Sequence, residues 1–382
     1  MKQSKRRGRG EGAIFRRKDG RWAASVNLGW KAGKRWRKSF YGATRKEVAD
    51  ALAKALRDRQ QGLPLANEKQ TVSAFLAHWL EHTVKPSVRP RTHQSYELLA
   101  RLHVLPELGN KPLAQLAPEH VESLLARKLA SGLAAQTVRH IRTVLKKALG
   151  QAVKRGHLAR NVAAMVDPPR LQRRQQGQVL DAEQTRMLLA AAESGRLWAL
   201  LVIAVSLGLR RGEILGLRWL DLDLDKSRIA IGQAIQRYSG IGLKAAEPKT
   251  GRSRRVLNLP QACARALRAW RARQAEERLA AGPEWRDSGL VFTTPFGTPI
   301  DPRNLHRQFK ALLMAAGLPQ AVRFHDLRHG CASYLLSQGV PLKTISDLLG
   351  HSSITVTSDI YAHIAPQMLQ EAAAKMDALL DG

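Results

Sequence analysis

The sequence predicts a multidomain, mainly α chain with small β-sheets (α+β), and three observations predict it. Short alternating strands and one helix fill residues 1–62, and apolar residues recur at helical spacing through 71–166. Helices then mix with short strands over 179–382. Residues 167–178 (DPPRLQRRQQGQ) are led by prolines and carry charge without a hydrophobic period, which predicts an extended linker. The divisions expected are therefore 1–62, 71–166, 167–178 and 179–382.

The first module reads as a three-stranded sheet backed by a helix. Strands are expected over 14–17, 21–28 and 35–41, with Lys18-Asp19-Gly20 on the first turn and 29–34 forming the second. In the middle strand Trp22, Ala24, Val26 and Leu28 alternate onto one face. Thr44-x-x-Glu47 is a capping box and opens a helix to about residue 61. The module holds 19 Lys/Arg against 5 Asp/Glu, and its first ten residues read as a basic arm. A sheet so charged can lay its exposed face into a DNA groove.

A linker around 62–70 leads to the second module. There Val72, Phe75, Leu76, Trp79 and Leu80 follow the i, i+3, i+4, i+7, i+8 pattern of an amphipathic helix. Further helices are expected over 91–104, 118–131 and 136–155, with Gly132 and Gly156 as stops. Arg139, Arg142, Lys146 and Lys147 make the last of these strongly basic, and they are the residues expected near DNA phosphates.

In the third module Asp181 caps a helix to residue 193, and an apolar helix over 197–207 ends at Gly208. Strands are expected over 229–235 and 255–259, with Lys249-Thr250-Gly251 on the turn between them, and over 290–293. Helices fit 263–280, 304–316 and 366–380. Pro341 suits the first turn of a helix whose left-handed end is Gly350, and Ser352 or Ser353 can cap a short helix carrying Tyr361.

Charge narrows the function. The chain carries 63 Lys/Arg against 31 Asp/Glu, a formal net charge of +32. Such an excess repels itself unless a polyanion neutralises it. Nucleic acid is favoured over a membrane surface, because no long basic amphipathic helix with an aromatic face is present. No apolar run approaches the roughly 18 residues of a membrane span. The basic N-terminus has no hydrophobic segment behind it, so no secretory signal is expected. Cys263 and Cys331 are too few for a disulfide framework or a structural zinc site. A reducing cytoplasm is the expected setting.

The densest chemistry lies in 324–361, FHDLRHGCASYLLSQGVPLKTISDLLGHSSITVTSDIY. With GLRRGE at 208–213 and Lys249 in Pro-Lys-Thr, it supplies arginines, histidines, a lysine and a terminal tyrosine. Two arginines can bracket the non-bridging oxygens of a phosphodiester as planar forks. A tyrosine hydroxyl, with a pKa near 10, needs activation before it attacks phosphorus. Imidazole can hydrogen-bond the phosphate or accept the tyrosine proton. No Asp/Glu cluster at metal spacing occurs in these blocks, so neither metal nor another cofactor is expected.

These three blocks, in this order, resemble the tyrosine recombinase (phage integrase) family over 179 to about 364. The resemblance implies that Arg210, Lys249, His325, Arg328, His351 and Tyr361 are catalytic. Tyr361 is then the nucleophile and Glu213 a supporting acid beside Arg210. Leu207 and Cys331 depart from the commoner neighbours of these motifs, and neither carries the chemistry. The resemblance further implies a helical core-binding (SAM-like) domain at 71–166, an arm-binding domain at 1–62 and a catalytic domain at 179–382. The activity expected is that of a site-specific integrase of a phage or mobile element. It would act on double-stranded core and arm sites as a homotetramer in synapsis, helped by accessory bending and directionality proteins. A non-catalytic DNA-binding regulator and a type IB topoisomerase-like enzyme are the alternatives. The regulator is disfavoured because Tyr361 and both arginines are present, the topoisomerase by the arm-like N-terminal module.

Overall fold

The computed structural model describes residues 12–31, 34–60, 70–171, 179–247 and 254–350. The chain divides into two units, Met1–Arg174 and Gln175–Gly382. The expected basic arm, the Lys249 turn and the helices around Tyr361 and 366–380 lie outside the described residues, as does most of the expected linker 167–178.

Alternation builds the first sheet. β1 (Ala13–Arg16), β2 (Trp22–Lys31) and β3 (Lys34–Gly42) form an antiparallel sheet with β2 in the centre. Ala24 and Val26 point one way and are buried against Val48, Leu52 and Ala55 of α1 (Arg45–Gln60), with Trp22 half-buried beside them. Thr44 caps the helix as expected, accepting from the Glu47 backbone N–H at 3.2 Å, while Glu47 reaches one residue further back and accepts from the Ala43 N–H at 3.0 Å. On the opposite face Phe15, Ala23 and Tyr41 pair in one row. Phe15 and Tyr41 are exposed there, and Arg17 lies over the Tyr41 ring at 5.2 Å.

The helical part of the same unit holds its own core. α2 begins at Val72–Trp79 and runs on through a π-helical turn, Leu80–Val84, to Lys85–Ser87. α3 begins at Pro90–Leu99 and passes a second π turn, Ala100–Val104, to Leu105–Leu108. The expected end at residue 104 is therefore too early, and prolines explain why. Pro86 and Pro106 lack the N–H that would continue the ladder, and a proline ring crowds the carbonyl four residues back. Widening the preceding turn relieves this: Lys85 bonds back to Leu80 and Leu105 to Ala100, five residues instead of four. α4 (Pro118–Ala130), α5 (Ala135–Lys154) and the short α6 (Val162–Met165) complete the module. α5 buries Val138, Ile141, Val144, Leu145, Ala148, Leu149 and Ala152 as one stripe. Gly132 and Gly156 stop α4 and α5 with positive φ, as expected.

The second unit is organised around α8 (Trp198–Leu207), which follows α7 (Ala182–Ala192) and is apolar almost all round. Residues 199–204 of α8 are all buried, as such a helix requires. Gly208 ends it in the left-handed conformation, φ 57°, where a Cβ would run into Leu349 and Cys331. α9 (Arg211–Leu215) follows at once.

The strand expected over 229–235 is two strands. β4 (Leu222–Asp223), β5 (Arg228–Ile231) and β8 (Arg255–Asn258) form one antiparallel sheet in the order β4-β5-β8. β6 (Ala234–Tyr238) and β7 (Gly242–Ala246) form a separate hairpin that the sequence reading missed. The break at Gly232-Gln233 has a local cause. Gln233 donates to the Gly216 carbonyl at 2.9 Å, and a Cβ on Gly216 would stand 2.9 Å from the Ala234 Cα. The chain turns away to pack its backbone on α9. In the chain, β6 and β7 therefore stand between 229–231 and the undescribed residues 248–253 that precede β8. A second correction concerns 290–293, which make only isolated bridges, Arg218–Leu290 and Thr293–Pro299. α10 (Gln261–Ala281), α11 (Pro302–Ala315), α12 (Asp326–Ser337) and α13 (Leu342–Leu349) close the unit. The architecture is mixed α+β with small antiparallel sheets.

Candidate active site

Arg210 stands in extended backbone between the left-handed Gly208 and the first turn of α9. Its Nη1 donates to Glu213 Oε1 at 2.7 Å, and its backbone N–H donates to Glu213 Oε2 at 3.1 Å. One turn of helix therefore fixes both the arginine's main chain and its fork. Its Nη2 donates to the carbonyl of Gly350, 140 residues on, at 2.8 Å. Arg328, on α12, donates from Nη1 to the Gly208 carbonyl and from Nη2 to the Leu349 carbonyl, both at 2.8 Å. The two arginines thus grip successive carbonyls, Leu349 and Gly350, at the end of α13. Gly350 adopts the expected left-handed conformation, φ 68°, and ends α13.

Burial separates the members of this cluster. The Arg210 side chain is 38% exposed and the Glu213 side chain 5%. Burial pulls the Arg328 guanidinium down to about 9, assisted by the neighbouring charge of Arg210 and opposed by Glu213, so it remains a cation at neutral pH. Burial pushes the Glu213 carboxyl up, but Arg255 and then Arg210 outweigh it and hold it below its ordinary value. His325 sits at the N-terminus of α12 with its ring edge-on to His329 at 5.1 Å. The surrounding protein first, then His329 and Arg328, push its imidazole down to about 4, so it is neutral and can accept a proton. Asp326 pairs with Arg323 at 2.7 Å. Cys331 is buried, and that burial raises its thiol to about 11, which leaves it unreactive.

Residues 178–368 match the phage integrase family, and residues 71–129 match the N-terminal SAM-like domain of phage integrases. An integrase of Streptomyces ambofaciens is 33% identical, covering 98% of this chain and 98% of its own. The chain belongs to the phage integrase family of tyrosine recombinases. A XerC-like tyrosine recombinase of Caldanaerobacter subterraneus is 32% identical over 91% of this chain and 93% of its own. The ICEBs1 integrase of Bacillus subtilis is 24% identical over 96% of this chain. Among solved structures, the Tn1549 transposon integrase in complex with transposon right end DNA superposes with a TM-score of 0.68 at 24% identity. It covers 81% of this chain and 100% of that one. A lambda integrase tetramer bound to a Holliday junction gives 0.56 at 20% identity over 93% and 96%. The last two likenesses concern the fold.

Of the site residues read from the integrase motifs, the structure brings Arg210, Glu213 and Arg328 together, with His325 at the start of the helix that carries Arg328. Lys249, His351 and Tyr361 lie outside the described residues. The four cations expected near phosphates differ in their surroundings. The Arg142 guanidinium is spent on the Val166 and Ala164 carbonyls, which end α6, and Lys147 donates to the Tyr96 hydroxyl at 2.6 Å. Arg139 is half-buried and Lys146 exposed. One residue of the cluster was missed altogether. Arg255 donates to Glu213 at 3.1 Å and to the Leu348 carbonyl at 2.8 Å. A signal was available: in RVLNL (255–259) the arginine shares its side of the strand with Leu257 and Leu259.

Proposed function

We propose that this recombinase breaks and rejoins duplex DNA through a covalent 3′-phosphotyrosine on Tyr361. Arg210 and Arg328 hold the non-bridging oxygens of the scissile phosphate and stabilise the charge that builds on them. The Tyr361 oxygen bonds to phosphorus as the phosphorus–O5′ bond breaks. A histidine, His325 or His351, takes the tyrosine proton, and Lys249 donates one to the departing 5′ oxygen. Attack by a 5′ hydroxyl of another strand reverses these steps and releases the tyrosine, so the bond energy is kept without ATP.

The observation that carries the reading is the convergence of Arg210 and Arg328 on the carbonyls of Gly350 and Leu349, directly before His351. Incubating the protein with a nicked attachment-site duplex without magnesium should give a covalent adduct on a denaturing gel. Tyr361→Phe should give none, and an adduct from that variant would overturn the assignment.

The wider reading is integration or excision of a phage or mobile element, by a tetramer assembled on DNA in the cytoplasm. Its support is the N-terminal module: integrases match 96–98% of the chain and the XerC-like recombinase 91%, whereas XerC of Xanthomonas campestris matches 78%. The outer sheet face with Phe15, Tyr41 and Arg17 is the surface that would contact arm DNA, residues 71–166 would bind the core site and 179–382 would cut it. Among the described residues no helix is long and apolar enough to cross a membrane.

A further inference from the structure

We propose that Arg255 is a positioning residue for the reaction, setting the aim of Arg210 through Glu213 and tying that aim to the turn before His351. The inference rests on Arg210 binding the scissile phosphate.

Strand register puts Arg255 inside. It pairs with Ile231 of β5, which is 1% exposed, while Val256, one residue on, faces solvent. A guanidinium on the inner face must be paired, because an isolated buried charge is strongly disfavoured. Two of its contacts reach different segments of the site. Nη2 donates to Glu213 Oε2, the carboxylate that also holds Arg210, and Nε donates to the Leu348 carbonyl. A Cβ on Gly350 would stand 2.8 Å from Arg255 Nη1, so the guanidinium lies flat against that turn.

The hydrogen bonds close a ring. It runs from Arg210 to Glu213, from Glu213 to Arg255, from Arg255 to the main chain at Leu348, and from Gly350 back to Arg210. Within it the Arg210 side chain is 38% exposed, against 8% for Arg255 and 5% for Glu213. Of these three Arg210 is the most open to a ligand, and Glu213 and Arg255 form the hydrogen-bonded chain behind it. Stability does not call for such an arrangement, since replacing a buried ion pair by apolar groups is often neutral or better. What the charges supply is direction. The Arg210 fork is fixed at both ends before DNA arrives, and a misplacement of about 1 Å can cost about 100-fold in rate.

The test is the rate of adduct formation by the full chain on the nicked duplex, read with DNA affinity and thermal midpoint. Arg255→Met should slow the adduct about 100-fold while leaving affinity within about 3-fold, because Arg255 does not touch DNA. In a Glu213→Gln background the same substitution should cost clearly less, about 10-fold, because the route through Glu213 is already weakened and only the one through the Leu348–Gly350 main chain remains. An equal loss in both backgrounds, tracking the midpoint, would mean a merely structural role and overturn the proposal. Should the methionine variant not fold, Arg255→Lys decides. A single ammonium cannot serve both partners, so it should be about 10-fold slow at a nearly wild-type midpoint. A wild-type rate from it would also overturn the proposal. Absence of any wild-type adduct would instead remove the functional reading, and this inference with it.

Discussion

At the scale of single residues, charge state follows from what surrounds each group rather than from its type. His325 and His329 follow one another at i, i+4 on α12, and both imidazoles are held below their ordinary value, His325 at about 4. Burial leads in both cases. The unfolded chain therefore binds more protons than the folded one once the pH drops below about 6.5. Stability contributed by the neutral rings is complete above that value and is lost as the pH falls toward about 4. Glu213 and Asp326 are held below the usual carboxylate range, so their contribution is lost only at lower pH still. Urea midpoints measured at about pH 7 and about pH 5 should fall with acid, and His329→Gln should flatten that slope. An unchanged slope would place the protons elsewhere. The motif residues could be read in the sequence because their types and order are unusual together. Arg255 is harder to single out: alternation in RVLNL puts it on the side of Leu257 and Leu259, but only strand register shows that this side faces the site.

At the scale of elements, glycines and prolines decide where helices bend and how closely they approach. Pro86 and Pro106 do not end α2 and α3; each is accommodated by a π turn in front of it, which local propensity alone does not foresee. Gly216 works in the opposite direction, by permitting contact. It ends α9 against the backbone of β6, where a Cβ would meet the Ala234 Cα at 2.9 Å and the Gln233 oxygen at 3.1 Å. Neither neighbour is a flexible side chain. Gly216→Ala should therefore destabilise the second unit by about 1–3 kcal/mol, as overpacking does. Urea denaturation at constant slope checks this, and an unaffected midpoint would show that the hairpin can retreat freely. The same contact explains why residues 229–235 read as one strand in the sequence and are two in the fold. The pattern of apolar residues continues across Gly232, and only the approach of α9 interrupts the ladder.

At the scale of the whole molecule, charge and modularity govern how the chain meets DNA. Residues 1–62 carry 14 of the 32 net positive charges. Deleting them should spare binding to a core-type site, abolish binding to arm-type sites and flatten the fall of affinity with salt, in proportion to the phosphates no longer neutralised. Titrations of both duplex types at several salt concentrations check this, and equal loss at both would sink the division of labour. By itself the sequence determined the succession of a small sheet, a helical stretch and a mixed α+β part, the capped helices and the integrase motifs. These depend on period, local hydrogen bonding and residue type, which are properties of neighbours in the chain. Only the tertiary structure decided which of many arginines meet. Arg210, Arg255 and Arg328 converge on Glu213 and the last turn of α13 from segments up to 140 residues apart. That convergence depends on strand register and on two left-handed glycines, Gly208 and Gly350, which bring distant main chain within hydrogen-bonding reach.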